Sequence, residues 1–306
     1  MNDPVPCTGE ETRSAFIAVI GAPNAGKSTL VNRIIGTKVS IVSRKVQTTR
    51  TRVRGIMRVG QAQLVFIDTP GIFTPKRQLD RAMVRAAWDE TGRADATVFV
   101  VDARAGVTDA VTAIVAALRD KGRKAILVLN KIDLTRPERL LELTASLNEQ
   151  GTFAETFMLS AETGDGVADL VTLLAREAPV GPWLFPDDDV SDMPLRLLAA
   201  EITREKIFVQ LNQELPYAAA VLTDSWQERE DGSVRIDQTI VVLRENQRPI
   251  VLGKGGSRIK SIGQAARQEL EHALDRRVHL FLHVKADAHW LENSGYYREW
   301  ALDFDA

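Results

Sequence analysis

The first part of the chain, from Phe16 to about Glu177, alternates short apolar runs with amphipathic stretches. Runs that are almost continuously hydrophobic are typical of strands covered by helices on both faces. The predicted strands are Phe16–Gly21, Thr51–Val59, Leu64–Asp68, Ala96–Asp102, Ala125–Asn130 and Ala154–Ser160. The predicted helices are Lys27–Ile35, Asp80–Asp89, Thr108–Lys121, Pro137–Glu149 and Val167–Glu177. This order predicts a doubly wound α/β domain with a mostly parallel sheet, the more polar second run at an edge, and sites at the C-terminal strand ends.

A different pattern begins after a segment rich in proline and aspartate. Residues 179–194 contain four prolines and three consecutive aspartates, which neither continue a helix nor bury a strand, so we predict a linker; the alternative is a long loop inside one domain. The elements predicted beyond it are the helix Leu195–Leu211, the strands Tyr217–Gln227 and Ser233–Arg244, the helix Gly256–Ala273 and the strand Arg277–Lys285. They form a smaller α+β module. The predicted divisions are an extension at 1–13, domains at 14–178 and 195–306, and the linker at 179–194.

Composition agrees with two globular domains, because 306 residues exceed what one hydrophobic core usually serves. The single cysteine, Cys7, excludes a disulfide framework and fits a reducing cytoplasm. The first residues lack the pattern of a signal peptide and no apolar run approaches about 20 residues, so we expect neither a signal peptide nor a membrane span. Residues 1–180 carry 24 Lys and Arg against 20 Asp and Glu, or +4; residues 181–306 carry 15 against 21, or −6. A nucleic-acid site in the second region would therefore be a local patch on an acidic body.

A phosphate-binding loop follows the first predicted strand. The residues of this loop are Gly21, Ala22, Pro23, Asn24, Ala25, Gly26, Lys27 and Ser28, followed by Thr29. They match G-x-x-x-x-G-K-[ST] between a strand and a helix, where backbone amides and the helix N-terminus face phosphate oxygens. Lys27 supplies a cation for the β- and γ-phosphates, and the Ser28 hydroxyl is placed for Mg²⁺. This loop predicts a nucleoside triphosphate without distinguishing GTP from ATP.

Two further motifs favour guanine. Asn130-Lys131-Ile132-Asp133 follows the fifth strand, and the Asp133 carboxylate can accept from guanine N1–H and the 2-amino group, which adenine lacks. We expect Asn130 to brace the loop and meet the base edge, and the Lys131 stem to lie against the ring. Ser160-Ala161 follows the sixth strand, where the Ala161 amide is expected to face guanine O6. Each motif is weak alone, but their order along the sheet makes the prediction strong.

The loops after the first predicted helix and the third predicted strand supply the remaining groups. In Asp68-Thr69-Pro70-Gly71, the Asp68 carboxylate is expected to reach Mg²⁺ through water and the Gly71 amide to sense the γ-phosphate. The segment Ser40–Thr51 contains Thr48 and Thr49, one of which is expected to close over Mg²⁺. We favour Thr49; the alternative is that both are ordinary edge-strand residues.

The motifs GAPNAGKST, QTTR, DTPG, NKID and SAE resemble those of translation-factor-related GTPases, and GxPNxGKST with QTTR resembles the Era family of the TrmE-Era-like group. The glutamine that orients water in Ras-like GTPases is replaced here by Ile72, which implies slow hydrolysis. In potassium-activated relatives the asparagine matching Asn24 helps to hold K⁺; the alternative for Asn24 is a purely structural role. Motif chemistry and resemblance together assign catalytic roles to Lys27, Asn24, Thr49 and Gly71, and Mg²⁺ ligation to Ser28, Thr49 and Asp68.

The second module contains a G-x-x-G loop, Gly253-Lys254-Gly255-Gly256, followed by Arg258 and Lys260. Glycines let a nucleic-acid backbone pass close, and residues 246–268 hold five cations and no acid. The alternative is a glycine turn used only for packing. The sequence of this loop and the order of elements resemble a type II KH domain. A KH domain that follows a GTPase domain is the domain order of the Era family, and the resemblance to that family extends over residues 14–300.

Two clusters near the C-terminus are open to more than one interpretation. In the last strand His279, Phe281 and His283 share one face, which we expect to be an exposed sheet face, with contact to RNA as the alternative. The two histidines are too far apart, at about 13 Å, to share a metal. Four aromatic residues, Trp290, Tyr296, Tyr297 and Trp300, are expected to form a packed C-terminal cap rather than a binding stripe.

The resemblance implies a GTPase that binds GTP and GDP, uses Mg²⁺ and K⁺, and binds 16S ribosomal RNA near its 3′ end, not DNA. It further implies a role in assembly of the 30S subunit, in the cytoplasm with at most peripheral contact with the inner membrane. One alternative is a signalling or cell-cycle GTPase whose KH fold binds protein. Another is a tRNA-modification enzyme that uses GTP for conformational work. It would call for added catalytic residues or a reactive cysteine near the C-terminus, whereas Cys7 lies at the other end.

Overall fold

The computed structural model describes residues 11–43, 48–151, 153–186, 188–211 and 219–306. The first domain is built on a six-stranded sheet in the order β2-β3-β1-β4-β5-β6, in which only β2 is antiparallel to its neighbour. Its strands are β1 (Arg13–Gly21), β2 (Val53–Val59), β3 (Ala62–Asp68), β4 (Ala96–Asp102), β5 (Ala125–Asn130) and β6 (Phe153–Leu159). Its helices are α1 (Lys27–Ile35), α2 (Gln78–Arg93), α3 (Asp109–Asp120), α4 (Pro137–Gln150) and α5 (Val167–Glu177). The predicted α/β class is confirmed, with β2 at the edge.

Both faces of this sheet are covered by helices, as the continuous hydrophobic runs predict. Leu30 of α1 and Leu170 of α5 lie in the hydrophobic cluster on one face, while Ile114 of α3 and Leu143 of α4 lie in that on the other. Local signals set several helix ends: the Thr108 side chain accepts from the Val111 amide at the start of α3, and Pro137 opens α4. The strand ends that carry the motifs therefore share one edge of a rigid sheet.

The second domain is a three-stranded sheet with helices on one face. Its strands β7 (Ala219–Glu228), β8 (Val234–Val242) and β9 (Val278–Ala286) are in that order, β7 antiparallel and β9 parallel to β8. The helices α6 (Leu195–Gln210) and α8 (Ser257–Leu274) pack on it through Ile207, Ile262 and Leu270, and α7 (Arg248–Leu252) precedes the glycine loop. This element order confirms the α+β module.

The other face of the second sheet is partly open, as predicted for the alternating β9 strand. Phe281 is 44% exposed, and the Arg235 guanidinium lies 4.6 Å from the centroid of its ring. Within the described ranges, no group of three or more His, Cys, Asp or Glu residues is arranged to hold a metal ion. No helix in the described part of the chain is long and apolar enough to cross a membrane.

The described residues of 179–194, which was predicted as a linker, lie along the β2 edge of the first sheet. The Ile56 amide donates to the Val190 carbonyl at 3.0 Å, and the Trp183 ring lies 4.0 Å from the Arg58 guanidinium. The Gln63 side chain accepts from the Leu184 amide at 2.7 Å. The segment thus covers an edge strand that would otherwise present unpaired backbone groups. Its proline-rich composition predicted the absence of regular elements but not this packing.

The C-terminal aromatic residues form a packed cap, as predicted, but on the first domain as well as the second. Trp290, Tyr297 and Trp300 are almost fully buried and belong to one cluster with Met83 of α2 and Val241 of β8. The sequence did not predict the short helix α9 (Ser294–Glu299) inside this cap. The C-terminal segment therefore joins the two domains.

Candidate functional site

The phosphate loop connects the end of β1 to the start of α1 and curls tightly at two glycines. Gly21 has φ 153° and Gly26 has φ 96°. A Cβ atom at Gly21 would clash with the Val100 carbonyl oxygen, and one at Gly26 would clash with the Asn130 side-chain amide. No larger residue fits at either position, so the loop keeps its backbone amides around an open concavity at the N-terminus of α1.

Lys27 is the cation of this concavity. Its side chain is 6% exposed, and Nζ donates to the carbonyls of Gly21 at 3.2 Å and Ala22 at 3.0 Å. Burial lowers the pKa of Lys27 to about 8, partly offset by the Asp68 carboxylate. An ammonium held by neutral carbonyls in a buried position is poised to exchange them for phosphate oxygens, which bind it more strongly.

Three side-chain oxygens converge beside Lys27. Ser28 Oγ lies 2.6 Å from Asp68 Oδ2 and 2.9 Å from Thr49 Oγ1, and Thr49 Oγ1 lies 3.4 Å from Asp68 Oδ2. Burial raises the pKa of Asp68, while the Ser28 hydrogen bond and Lys27 oppose the rise. The other carboxylate oxygen, Asp68 Oδ1, is buried and has no hydrogen-bond partner among the described residues. Hydroxyl and carboxylate oxygens with a buried unsatisfied acceptor fit a Mg²⁺ ion.

Thr48 and Thr49 are separated by this geometry. Thr49 is 9% exposed and its hydroxyl joins Ser28 and Asp68, whereas the Thr48 carbonyl accepts from the Arg204 guanidinium of α6. In this structure it is therefore the Thr49 side chain that faces Ser28 and Asp68. Residues 44–47, also in the predicted Mg²⁺-covering segment, lie outside the described ranges.

Asn130 ties the guanine-recognition loops to the phosphate loop. It is 1% exposed; Nδ2 donates to the Ala25 carbonyl at 2.9 Å, and Oδ1 accepts from the amides of Lys131 at 2.8 Å and Ala161 at 2.9 Å. These three hydrogen bonds are the contacts that the bracing role predicted for Asn130 requires. The Ala161 amide, expected to face guanine O6, donates to Asn130 here, so contact with O6 requires that bond to be shared or exchanged.

Lys131 and Asp133 stand at the mouth of the same site. Lys131 Nζ pairs with Asp102 Oδ2 at 2.6 Å and donates to the Asn24 carbonyl at 2.7 Å, which stretches its stem across the cleft. Asp133 is exposed and has no hydrogen-bond or ionic partner within the described ranges. A free carboxylate beside an apolar stem suits two adjacent N–H donors of a planar base.

The loop after β3 is fixed against the phosphate loop. Thr69 Oγ1 donates to the Val19 carbonyl at 2.8 Å, and the Ile72 amide donates to the Gly21 carbonyl at 3.0 Å. A Cβ atom at Gly71 would lie 3.0 Å from Pro23 atoms, so Gly71 packs closely on that loop. The Ile72 side chain is buried in the core beside β1, where it cannot orient water.

A cleft of about 1290 Å³ connects these groups. Most predicted residues line it: Pro23, Asn24, Gly26, Lys27, Ser28, Thr29, Thr48, Thr49, Gly71, Asn130, Lys131, Asp133 and Ala161. The others lie in the phosphate loop, in the Asp68–Ile72 loop, at Ile132, which packs against the core, and at the buried Ser160. Phe208 and Val209 of α6, which the sequence did not single out, also line this cleft. The second domain therefore borders the nucleotide site.

The glycine loop of the second domain has a different character. Gly253 has φ 73°, and a Cβ atom there would lie 2.7 Å from Arg258 Cβ. Arg258 Nη1 donates to the Ile250 carbonyl at 3.0 Å, which ties α7 to the start of α8. Lys254 and Lys260 are exposed. The arrangement offers cations and bare backbone at the start of an 18-residue helix, which suits a phosphate backbone.

Comparison with known proteins identifies both domains. Family models for the 50S ribosome-binding GTPases and for the KH domain match residues 16–131 and 214–291. GTPase Era of Caulobacter vibrioides is 53% identical over 97% of this chain and 99% of its own length, and that of Brucella suis is 53% identical over 99% of both. The chain belongs to the GTPase Era family.

Solved Era structures share the fold of this Era-family GTPase. Era in complex with MgGDPNP and nucleotides 1506–1542 of 16S ribosomal RNA has a TM-score of 0.90 and 38% identity, covering 94% of this chain and 98% of that one. A variant of Aquifex aeolicus Era bound to GDP and AlF4⁻ has the same TM-score and identity. The predicted fold and enzyme class are thereby confirmed: a P-loop GTPase domain joined to a KH domain.

The Era-family GTPase also has contacts between its domains that sequence reasoning missed. The Arg50 guanidinium lies 5.8 Å from the ring centroid of Trp290 and 5.5 Å from that of Trp300. Burial lowers the pKa of Arg50 to about 9, with the nearby Arg204 adding to the decrease. Lys38 pairs with Glu205 of α6 at 2.6 Å. The described residues of the loop between α1 and β2 therefore contact both the nucleotide cleft and the KH domain.

Proposed function

We propose that this Era-family GTPase binds GTP with Mg²⁺ in the cleft, hydrolyses it, and binds 16S ribosomal RNA near its 3′ end during assembly of the 30S subunit. The observation that carries the nucleotide half is the convergence of Ser28, Thr49 and Asp68 beside Lys27. The RNA half is supported by the 38% identical Era bound to 16S ribosomal RNA and by the exposed cations of the glycine loop.

The chain's own residues account for the steps around hydrolysis. Lys27 and the loop amides bind the phosphates, and Asp133 selects guanine. Ser28, Thr49 and Asp68 would hold Mg²⁺, directly or through water. The chemistry that Mg²⁺ would supply there is Lewis-acid stabilisation of the negative charge on the phosphate oxygens. With Ile72 buried, no side chain at that position orients water, so slow intrinsic hydrolysis is expected.

The nucleotide half is tested by replacing Thr49. A hydroxyl that ligates Mg²⁺ in the GTP state contributes to hydrolysis but little to GDP binding. We expect Thr49→Ala to raise the Mg²⁺ concentration for half-maximal single-turnover hydrolysis by about tenfold and to leave GDP affinity unchanged. Thr48→Ala is the matched control, since its carbonyl rather than its side chain makes the Arg204 contact. An effect of Thr48→Ala in place of Thr49→Ala would contradict the assignment.

The RNA half is tested by reversing charge in the glycine loop. Lys254→Asp with Gly255→Asp places two carboxylates where phosphates would pass, and we expect binding of a 16S 3′-end oligonucleotide to fall at least about a hundredfold. GTP hydrolysis should not change. Arg229→Asp, in the exposed turn between β7 and β8, is the control. Unchanged RNA binding would instead favour the alternative in which the KH fold binds protein.

The resemblance to potassium-activated relatives extends the proposal to K⁺ held by Asn24. Asn24 has φ 62°, a conformation that asparagine tolerates better than most residues, so a structural role alone is the competing explanation. Faster single-turnover hydrolysis in K⁺ than in Na⁺, lost in Asn24→Ala, is expected. Equal wild-type rates in the two salts would contradict it.

Two further parts of the proposal concern organisation and location. The divisions at 14–178, 179–194 and 195–306 predict that limited proteolysis cuts first between the two domains, within 179–194. Cell fractionation should place the protein in the cytoplasm with at most a salt-extractable fraction at the inner membrane. First cuts inside either domain, or a membrane fraction that resists salt, would contradict these parts.

A further inference from the structure

Helix α6 of the KH domain contacts the loop between α1 and β2 at two separate points. Glu205 Oε1 accepts from the Val42 amide at 2.8 Å, and the neighbouring Arg204 donates through Nη2 to the Thr48 carbonyl. The side chains of two consecutive residues thus reach both sides of the segment that precedes Thr49. The second domain therefore fixes where this loop returns to the nucleotide site.

Thr49 lies between two residues that are each anchored in the second domain. On one side is the Thr48 carbonyl, bound by Arg204. On the other side Arg50 Nη1 donates to the Ala219 carbonyl of β7 at 2.8 Å, and its guanidinium lies beside the contacting rings of Trp290 and Trp300. Between these anchors, the Thr49 side chain turns towards Ser28 and Asp68. Its hydroxyl position consequently depends on groups outside the first domain.

Arg204 is buried and is held by side chains of its own helix. It is 1% exposed, Nε donates to Glu201 Oε1 at 2.8 Å, Nη2 also meets Glu201, and its guanidinium lies 5.3 Å from the Phe208 ring centroid. Apolar side chains of similar volume often stabilise a core as well as a buried ion pair does. What they cannot replace is a donor with a fixed direction, which here points at Thr48.

We propose that Arg204 is a positioning residue for GTP hydrolysis, contributed by the KH domain to the reaction in the first domain. Held by Glu201, it binds the Thr48 carbonyl and so places Thr49 Oγ1 at the Mg²⁺ site of the GTP state. The inference rests on the proposed function, since it requires Thr49 to face that ion. GDP binding does not require Arg204, because this loop responds to the γ-phosphate and its Mg²⁺.

Arg204→Met in the full chain tests the proposal, because methionine keeps much of the length and loses every donor. The Mg²⁺ concentration for half-maximal single-turnover GTP hydrolysis is expected to rise about tenfold, with GDP affinity within about twofold of wild type. Arg204→Lys, which retains a donor, should recover part of this loss. The matched control is Arg196→Met on the same helix, since Arg196 donates to the Thr223 and Asp224 carbonyls within its own domain.

A double-mutant cycle separates positioning from a general structural effect. If Arg204 acts through Thr49, then Thr49→Ala with Arg204→Met should need no more Mg²⁺ than Thr49→Ala alone. The proposal would be overturned if the two substitutions together raised the required Mg²⁺ concentration by the product of their separate effects. A folded Arg204→Met protein with the Mg²⁺ dependence of the wild type would also overturn it. Should Thr49→Ala itself leave the Mg²⁺ dependence unchanged, the proposed Mg²⁺ site fails first.

Folding is controlled separately, because Arg204→Met leaves the Glu201 carboxylate buried without its partner. Glu201→Gln with Arg204→Met removes that charge and is expected to melt near the wild-type temperature while keeping the tenfold Mg²⁺ effect. If both methionine proteins fail to fold, Arg204→Lys decides: an intermediate rise in the required Mg²⁺ supports the proposal, and wild-type dependence overturns it.

Discussion

The nucleotide cleft and the glycine loop of the KH domain both present cations to phosphate, yet they hold them in opposite ways. In the cleft, Lys27 is buried and donates hydrogen bonds to two backbone carbonyls, and Lys131 forms an ion pair with Asp102. At the glycine loop, Lys254 and Lys260 are exposed, and only Arg258 is used to shape the loop. One region is organised before its ligand arrives, and the other relies on charge in solvent.

This difference matches the two kinds of recognition. A small ligand with a fixed outline rewards prearranged groups, since their ordering and desolvation are already paid for in the folded protein. A long phosphate backbone is bound by many weak contacts that need no exact geometry. Exposed Lys and Arg side chains supply them by displacing the counterions of the nucleic acid. The cleft should therefore lose much from a single substitution, and the glycine loop little from any one cation.

The largest effect is expected at Asp133. Removing its carboxylate in Asp133→Ala leaves the guanine N1–H and 2-amino group without acceptors, so the preference for GTP over ATP should fall by about a thousandfold, or ~4 kcal/mol. Titration calorimetry with both nucleotides in Mg²⁺ measures this. Glu138→Ala, an exposed acid five residues along in α4, should change neither affinity. A preserved GTP preference in Asp133→Ala would show that the cleft is not organised around this side chain.

A several-fold effect is expected at Lys260. Lys260→Ala should weaken RNA binding roughly three- to tenfold at low salt and lower the slope of log affinity against log salt by about 0.7, the value for one single-stranded phosphate contact. Binding measured from 50 to 300 mM KCl gives both quantities. Arg277→Ala, an exposed cation outside residues 246–268, should leave the slope unchanged. A loss as large as that at Asp133 would remove the distinction between the two regions.

Much of the fold could be predicted where the residue pattern of a segment reflects its burial. The bounds of β4 and β5 coincide with the predicted runs because strands buried on both faces are hydrophobic from end to end. The start of α1 was predictable from the phosphate motif. The limits of α2 were not, since Gln78 and Arg93 are helical here beyond the apolar periodicity that predicted residues 80–89.

The parts of the site that escaped prediction are those made by contact between domains. Arg50 and Arg204 are buried cations, and in a sequence they look like solvated residues of a loop before an edge strand and of an amphipathic helix. Their burial depends on Glu201, Trp290 and Trp300, which are distant from Arg50 in the chain. The aromatic cap was predictable as packed, but its partner α2 was not, because a sequence shows an apolar face without showing what covers it.

The smallest effect is expected from substituting Glu205. Its carboxylate is as enclosed as the charged groups of the cleft, but it binds no ligand. Burial would raise the pKa of Glu205, but hydrogen bonds from Lys206, Lys38 and the Val42 amide outweigh it and lower the pKa below its usual 4.5. A carboxyl with a lowered folded-state pKa stabilises the protein above its unfolded pKa and loses that contribution as the pH falls through the folded one. Glu205→Gln should thus cost about 0.5–1 kcal/mol at pH 7. The difference from wild type in urea unfolding should narrow below about pH 4.5. If the difference in unfolding free energy between wild type and Glu205→Gln stayed constant to lower pH, the contact between α6 and the loop would not depend on this charge. Prearranged charges would then matter in this molecule only where a ligand binds.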